Sequence, residues 1–181
     1  MRHITSDERI IYLSHFNKKS IAIFRSNTAK EYYKSLEAKV ASLSFGVVQA
    51  AILSNRINIT ENNWEDIYEQ KLYESHKYIL ETNHAYSGNV AVMDEMVVKQ
   101  MSADVKTIFE NLVKQSIWYS NDFIRERNNQ YRRIILQNNK NVMHELSASE
   151  RYSWIETARE IWPLYENEIG SQLIDEAASH R

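Results

Sequence analysis

The stretch of sequence that decides the fold is residues 45–84, FGVVQAAILSNRINITENNWEDIYEQKLYESHKYILETNH. It begins with a Val- and Ala-rich run at 45–53 that is typical of a helix, with Ser44 before it in the N-cap position. Residues 56–60 alternate polar and apolar side chains, which predicts a strand, and the apolar spacing over 64–73 predicts another helix. Helices and strands that alternate along the chain are the pattern of an α/β layer.

The same alternation extends to both sides of this stretch. Upstream, apolar and β-branched runs predict strands at 20–24 and 39–43, and helical spacing predicts a helix at 28–37 between them. Downstream, residues 77–80 and 89–93 are predicted as strands on either side of a polar loop. We therefore expect the first half of the chain to form an α/β fold.

The second half of the chain is richer in predicted helix. A short helix is predicted at 94–101, and Ser102 is the expected N-cap of a long helix over 102–137, in which apolar residues recur every three or four positions. Residues 142–145 are predicted as a strand. The fold class expected from the whole chain is therefore α/β with an unusually large share of helix.

A C-terminal helix is predicted over residues 147–178. Ser147 and Glu150 have the spacing of a capping box, in which each side chain satisfies a backbone N–H of the first turn. Pro163 lies inside the same segment and should kink or split the helix, because proline lacks the N–H that the helix needs.

Composition excludes several classes of protein. The 181 residues include 3 Gly and 1 Pro, which disfavours a sandwich, a barrel or a Gly-rich nucleotide loop and favours long helices. The formal net charge is −2, so no strongly basic face and no nucleic-acid partner is expected. Cysteine is absent, which excludes disulfides, thiol catalysis and cysteine-based metal sites.

No residue pattern in the chain predicts catalysis or a metal site. Glu81 and His84 have the Glu-x-x-His spacing of di-iron bundles, but such a site needs a second copy of the motif and two further glutamates. The sequence also contains no Gly-x-Ser-x-Gly motif and no phosphate-binding glycine loop. We therefore expect no enzyme activity, no metal and no cofactor.

The start of the chain carries charges where a signal peptide would have its apolar stretch. The longest apolar runs are also far shorter than a membrane span. As written, the chain is expected to be a soluble protein without an export signal, and so cytoplasmic if it is expressed in this form.

Several short pieces of the segment from Ser44 to His84 stand in a characteristic order and spacing. They are Ser44-Phe45, Ala50-Ala51-Ile52, Glu61-Asn62, Ile67-Tyr68, Lys71-Leu72-Tyr73-Glu74, Lys77-Tyr78 and Thr82-Asn83-His84. With these pieces the segment resembles the substrate-binding subunit of tripartite ATP-independent periplasmic (TRAP) transporters, of the DctP type. The similarity continues downstream at 101–106, 146–151 and 161–170, and upstream at 18–23, so it covers nearly all of the chain.

The resemblance implies a periplasmic receptor for small organic acids that delivers its ligand to a membrane permease. In that family two α/β lobes close on the ligand, and this chain corresponds to the second lobe of the periplasmic-binding-protein-like fold, with a long bridging helix and a C-terminal helix. We accordingly expect residues 1–93 to form an α/β lobe that carries the ligand-side residues. Residues 94–181 are expected to form a helical part that packs on this lobe.

The resemblance also implies arginines that bind the ligand. The main selectivity residue of the family is an Arg, whose planar guanidinium holds a carboxylate with two parallel hydrogen bonds. This chain has Ala22 at that position. Arg25 is the nearest substitute, although an offset of three along a strand points to the opposite face. A second family arginine matches Arg2.

Three further candidate substrate-binding residues come from the same resemblance. Phe45 matches an aromatic side chain that covers the ligand, and Glu61 and Asn62 match a Glu-Asn turn. Two of them have a simpler alternative role, since Phe45 can be a core residue at the start of a helix and Asn62 can cap the helix that follows.

Two functions from different classes remain open. The first is a ligand-binding receptor module for transport. The second is a non-binding remnant or a helix-mediated interaction protein, because half of a two-lobed cleft leaves a ligand largely in contact with solvent. On the second interpretation the chain associates with a separate first lobe or with itself through exposed apolar surface.

Overall fold

The structure is a computed structural model that describes residues 1–179, apart from the side chain of Phe45. Within this range one mixed sheet is present, with the strand order β3-β2-β4-β1-β5-β6. The strands β2, β3 and β4 are parallel to one another, as are β5 and β6, whereas β1 is antiparallel to both β4 and β5. The strands are β1 His3–Ser6, β2 Ser20–Ile23, β3 Lys39–Ser42, β4 Ile59–Asn62, β5 Tyr78–Glu81 and β6 Val142–Glu145.

Helices cover both faces of the sheet, and the α/β fold class is confirmed. Two short 3-10 turns, at Leu13–Phe16 and Trp162–Tyr165, accompany the α-helices. The helices described are α1 Asn27–Ser35, α2 Phe45–Leu53, α3 Trp64–Glu69, α4 Leu72–Ser75, α5 Glu95–Lys99, α6 Ala103–Gln137, α7 Ala148–Arg159, α8 Glu166–Ile169 and α9 Ser171–Ser179. No helix in this part of the chain combines the length and the apolar composition that crossing a bilayer requires.

The core has two layers because successive residues of each strand face opposite sides. Ile21 and Ile23 lie in the upper layer, on the face of the sheet covered by α1 and α7, which also contains Tyr33 and Trp154. Ala22 points to the other side, the lower face. It belongs to the lower layer, formed with α2, α3 and the end of α6, whose members include Val48, Ile67 and Ile135.

Several local signals in the sequence are confirmed by the helix ends. The Ser147 hydroxyl accepts from Glu150 N and the Glu150 carboxylate accepts from Ser147 N, which completes the predicted capping box. Ser102 caps the long helix α6, which ends at Gln137 as expected. Ser44 holds the N-cap position of α2 but its side chain makes no capping hydrogen bond.

The predicted C-terminal helix over 147–178 is broken into shorter pieces. Pro163 lies in the second 3-10 turn, so the expected split at this residue is confirmed. A further break falls at Gly170, whose positive φ of 93° is unfavourable for other residues and ends α8.

Two strand predictions differ from the structure, and one strand was not predicted. The strand predicted at 56–60 begins and ends later, as β4 at Ile59–Asn62. Asn58, just before it, hydrogen-bonds Ser20 at the start of β2 through both its backbone and its side chain. Residues 89–93 form no strand. Val92 is 89% exposed, so the apolar residues that suggested a strand are not buried in a sheet here. The strand β1 was not predicted, since His3–Ser6 is short and mostly polar.

The helix predicted over 64–73 divides into α3 and α4. Lys71 separates them with a left-handed backbone, at a φ of 53°. The divided helix places Trp64 and Leu72 in the lower core layer all the same. Within the predicted helical part 94–181, β6 adds to the edge of the sheet at β5, and Leu146 and Trp154 enter the upper core layer.

Candidate functional site

A cavity of about 680 Å³ lies at the edge of the sheet where β2, β4 and β5 end. Because β1 runs in the opposite direction, the residue before it, Arg2, reaches the same edge. The cavity is on the face covered by α1 and α7, and the segment 82–88 after β5 forms another part of its wall. Ligand pockets of proteins typically occupy about 300–1,000 Å³, so the volume is suitable for a small molecule.

A buried ion pair lies in the wall of this cavity. Glu61, the third residue of β4, is 4% exposed. Its Oε1 lies 3.4 Å from Arg2 Nε, and its Oε2 lies 3.5 Å from His84 Nε2. Arg2 Nη1 also donates to the backbone oxygen of Glu61 at 3.0 Å. The positive charge of Arg2 is therefore matched by a neighbouring carboxylate.

The pKa of Glu61 reflects this environment. Burial by itself would raise the pKa of the carboxyl, but the proximity of His84 and of the Arg2 guanidinium outweighs burial and lowers the pKa below its usual value. Burial and the nearby Glu61 charge together raise the pKa of Tyr33 well above its usual value. At neutral pH the wall thus presents an ionised carboxylate beside a neutral phenol.

Hydrogen bonds hold the segment after β5 against Arg2. Thr82 Oγ1 donates to the backbone oxygen of Arg2 at 3.2 Å and lies 2.6 Å from His84 Nδ1. The backbone N–H of Arg2 donates to the oxygen of Ala85 at 2.9 Å, and the Tyr33 hydroxyl lies 3.1 Å from His84 Nε2. Arg2 is therefore hydrogen-bonded into the wall through both its backbone and its side chain, although it is next to the chain's first residue.

Two other arginines line the cavity without such compensation. Arg151 is half-buried on α7 and donates from Nη1 to the backbone oxygen of Thr82 at 3.1 Å. Arg25 is exposed and follows β2 with a positive φ of 24°, an unusual backbone for a non-glycine residue. Within residues 1–179 the ion pairs of arginine side chains involve other arginines than these two. Both guanidinium groups can therefore bind an anion by donating hydrogen bonds to it.

The wall also contains two buried donors without a partner in the described structure, the Tyr32 hydroxyl and the Trp154 indole N–H. The two residues are 6% and 4% exposed, and both line the cavity. Buried donors are normally hydrogen-bonded, so unpartnered ones at a cavity are typical of a site that a ligand or water completes. No group of three or more His, Asp or Glu side chains suited to a metal ion occurs in the described range.

The structure brings together three of the five predicted site residues. Arg2, Arg25 and Glu61 all line the cavity. Asn62 does not, and the predicted Glu-Asn turn is wrong, because both residues belong to strand β4 and their side chains point to opposite faces. The Asn62 amide donates to Thr60 Oγ1 at 2.9 Å on the lower face, and the helix cap is Asn63 rather than Asn62.

Ala22 and Phe45 are the two remaining positions that the resemblance singles out, and the described part of the structure places neither in the cavity wall. Ala22 is paired with Thr60 in the sheet and shares its lower face. Arg25 lies beyond the end of β2 and lines the cavity on the opposite face, so strand alternation does not by itself set its direction. Phe45 is the first residue of α2, and its side chain lies outside the described part of the structure.

Sequence reasoning missed Arg151, Tyr32 and Trp154 as site residues. A signal for two of them is present in the sequence: Arg151, Trp154, Ile155 and Ala158 follow the spacing of one helix face, and all four line the cavity. That spacing predicts that these residues share a face of the helix, but it does not predict which part of the protein the face packs against. The packing depends on contacts with Thr82 and Phe16, which are far away in the sequence.

Comparison with known proteins places these features in a family. Residues 1–168 match the sequence model of the family described as bacterial extracellular solute-binding protein, family 7. A curated relative is the C4-dicarboxylate-binding periplasmic protein DctP of Shewanella loihica, which is 23% identical over 99% of this chain and 53% of that protein. The chain thus spans about half the length of the curated relatives it matches.

Two solved structures of TRAP periplasmic solute-binding proteins have the same fold over this region. The protein from Shewanella oneidensis, solved with bound succinate, has a TM-score of 0.81 and 22% identity, over 99% of this chain and 59% of that chain. The protein from Pseudomonas aeruginosa, solved with bound L-malate, has a TM-score of 0.79 and 21% identity, over 91% of this chain and 57% of that chain.

Proposed function

The chain belongs to family 7 of the bacterial extracellular solute-binding proteins, the DctP family, and on this premise we propose that it forms the ligand-binding second lobe of a receptor for a small organic acid. The observation that carries the proposal is the cavity at the sheet edge, where Arg25 and Arg151 have no acidic partner among residues 1–179. A guanidinium binds a carboxylate with two parallel hydrogen bonds, so such a cavity suits an organic anion.

The charge of the cavity agrees with this class of ligand. Its titratable lining includes Arg2, Arg25 and Arg151, which contribute three positive charges, and Glu61, which contributes one negative charge. Counting these arginines and Glu61, the lining carries two net positive charges. Succinate and L-malate, bound by two of the similar proteins, are dianions when fully ionised, and we propose ligands of this kind for the present chain.

The role in transport is also part of the proposal. We propose that the loaded lobe serves a TRAP membrane permease, acts in the periplasm as members of this family do, and catalyses no reaction. Within this role, the assignment of the ligand-side residues to 1–93 and of a packing helical part to 94–181 stays a prediction, and the cavity draws residues from both parts. One lobe leaves a ligand partly in solvent, so a dissociation constant on the order of 1 mM is expected.

The direct test is a titration of the purified chain with succinate and L-malate, followed by two-dimensional NMR of the backbone amides. Succinamide, which has the same carbon skeleton without charge, is the matched control ligand. Saturable shifts with the acids but not with the amide support the proposal. A folded protein whose spectrum is unchanged at 20-fold the expected dissociation constant, roughly 20 mM, contradicts it.

A second function, helix-mediated association, is favoured by one feature of α6. The first two-thirds of this helix expose a row of apolar side chains on the face that continues toward α3, where Tyr131 stacks on Tyr68 at 4.3 Å between ring centroids. The side chains in the row are between 47% and 60% exposed, and they are Val105, Ile108, Leu112, Phe123 and Ile124. Exposed apolar surface of this kind marks an interaction site, for a separate first lobe or a second copy of the chain.

A further inference from the structure

The three arginines of the cavity differ in what already surrounds them. The side chain of Arg2 is 13% exposed, and its Nε lies 3.4 Å from Oε1 of the buried Glu61 carboxylate. Its backbone N–H and oxygen are also engaged, by Ala85 and Thr82. Because Glu61 is ionised at neutral pH, an organic anion that approaches Arg2 meets a carboxylate of the same charge beside it. Arg2 is therefore poorly placed to receive a ligand.

Arg151 has the opposite surroundings. One of its nitrogen atoms donates to the Thr82 backbone oxygen at 3.1 Å, which fixes the guanidinium at the cavity wall without neutralising it. Of the described residues that line the cavity, Glu61 alone is acidic, and it is engaged by Arg2 and His84. A half-buried guanidinium with an anchored end and free donors is preorganised for a carboxylate.

The neighbours of Arg151 on α7 extend this site. Trp154 is one turn further along the helix, and its buried indole N–H has no partner in the described range. The Tyr32 hydroxyl in the same cavity also lacks one. A bound acid offers several acceptor oxygens, which can satisfy donors of this kind beside the one that Arg151 engages.

We propose that Arg151 on α7, with Arg25 as the second cation, receives the carboxylate of the ligand, and that Arg2 is a positioning residue that Glu61 holds in the wall. This assignment rests on the proposed function, since it concerns the same cavity. It places the specificity-determining cation in the C-terminal helical part of the chain, far in sequence from the strand position where this chain has Ala22.

The test compares Arg151→Gln with a control on the same helix. Arg159 pairs with Glu156 at 2.9 Å and does not itself line the cavity, although its guanidinium lies over the ring of Trp162, which does. Arg159→Gln therefore removes an arginine of α7 without removing a residue of the cavity lining. We expect Arg151→Gln to weaken succinate binding by roughly 10- to 100-fold, the effect of losing a charged hydrogen-bonded contact. The Arg159→Gln variant should bind within about 2-fold of the wild type, as surface changes away from a site do.

A measurement on the wild-type chain makes the test independent of the stability of the variant. The side-chain Nε–H signals of Arg151 and Arg2, assigned from the variants or by isotope labelling, are followed during a succinate titration. The proposal predicts a saturable shift for Arg151 and a smaller one for Arg2. The assignment of Arg151 is overturned if succinate still binds folded Arg151→Gln as it binds the wild type, or if the signals of Arg2 shift and those of Arg151 do not. Either result leaves the proposed function standing. Absence of succinate binding to the wild type overturns the proposed function and with it the assignment.

Discussion

Arg2 and Glu61 form a buried ion pair at the open edge of the sheet, with Arg2 Nε 3.4 Å from Glu61 Oε1. The pair joins the residue that precedes β1 to the third residue of the neighbouring strand β4. Because the Glu61 side chain is 4% exposed, its charge depends on Arg2 and His84 for compensation rather than on water. The pair is thus part of the fold as well as of the cavity wall.

The first prediction concerns the stability that this pair provides. Glu61→Gln leaves the Arg2 charge without its buried partner, and breaking such a pair costs roughly 3 kcal/mol of unfolding free energy. Urea denaturation monitored by circular dichroism measures the loss. The control is Glu8→Gln, which removes the partner of Lys19 at an exposed site and should change stability by less than about 0.5 kcal/mol. Equal stabilities for the two variants would contradict the role of the pair.

The stabilising effect of Glu61 also has a defined pH dependence. Since the pKa of Glu61 is lower in the folded chain than in the unfolded chain, its contribution is present above the unfolded pKa. That contribution is lost as the pH falls through the lower, folded pKa. The difference in stability between the wild type and Glu61→Gln should therefore shrink in acid, as measured by denaturation at a series of pH values below the ordinary Glu pKa.

A separate pH effect is predicted for two buried histidines. Burial lowers the pKa of His3 to about 3 and the pKa of His76 to about 4. The unfolded chain therefore binds a proton at each residue below about pH 6.5, whereas the folded chain does not. Near pH 5 each histidine should reduce the unfolding free energy by about 1.4 kcal/mol per pH unit as the pH falls.

Replacement of His76 isolates one of these two contributions. His76 Nδ1 lies 2.9 Å from Thr5 Oγ1, and the ring is fully buried. His76→Gln keeps a polar side chain there and should halve the slope of stability against pH between pH 6 and pH 5 whatever its effect at pH 7. The exposed surface variant Lys30→Gln should keep the wild-type slope. An unchanged slope in His76→Gln would show that this histidine is protonated in the folded chain.

The next prediction concerns Trp154, which joins α7 to the sheet. Its ring centroid lies 5.7 Å from that of Phe16 and 5.5 Å from that of His84, and the side chain is 4% exposed. Trp154→Ala should therefore cost roughly 3–5 kcal/mol of unfolding free energy, the range for large core aromatics. Circular dichroism in urea provides the measurement. Tyr152→Ala, an exposed change on the same helix, should have little effect. A small loss for Trp154→Ala would mean that α7 is not packed on the core.

The exposed face of α6 predicts self-association that depends on apolar contacts. Static light scattering should give an apparent mass that rises with concentration in the wild type and stays near 21.4 kDa in Leu112→Glu. Lys114 is exposed, and its position two residues after Leu112 places it on the other side of the helix. Lys114→Gln therefore serves as a control that lowers the net charge by the same one unit as Leu112→Glu, and it should behave as the wild type. A wild type that stays monomeric at every concentration contradicts the helix-mediated function.

The sequence predicts the order and type of most elements because their signals are local. The long helix α6 and the capping box of α7 follow from apolar spacing and from residues within one turn. The strand β1 could not be predicted in this way, because its residues are mostly polar and are buried only through pairing with β4 and β5. The Lys71 break between α3 and α4 likewise has no local glycine or proline to announce it.

The candidate site was predictable only in part, for a geometric reason. Arg2, Arg25 and Glu61 were found through resemblance to a family and do meet at the cavity. Asn62 was carried over with Glu61, but neighbouring residues of a strand face opposite sides. Arg151 was missed because its contact with Thr82 spans 69 positions in the sequence, and no periodic pattern encodes a contact at that distance.

The most direct test of the central claim, that the cavity at the sheet edge binds a small organic acid, is a map of where succinate acts on the wild-type chain. Backbone amide, arginine Nε–H and Trp154 indole N–H signals are followed together by two-dimensional NMR during one titration. The account predicts saturable shifts centred on Arg25, Arg151 and Trp154, and none with succinamide. Shifts centred instead on the lower face around Asn62, or no shifts in a folded chain, would contradict it.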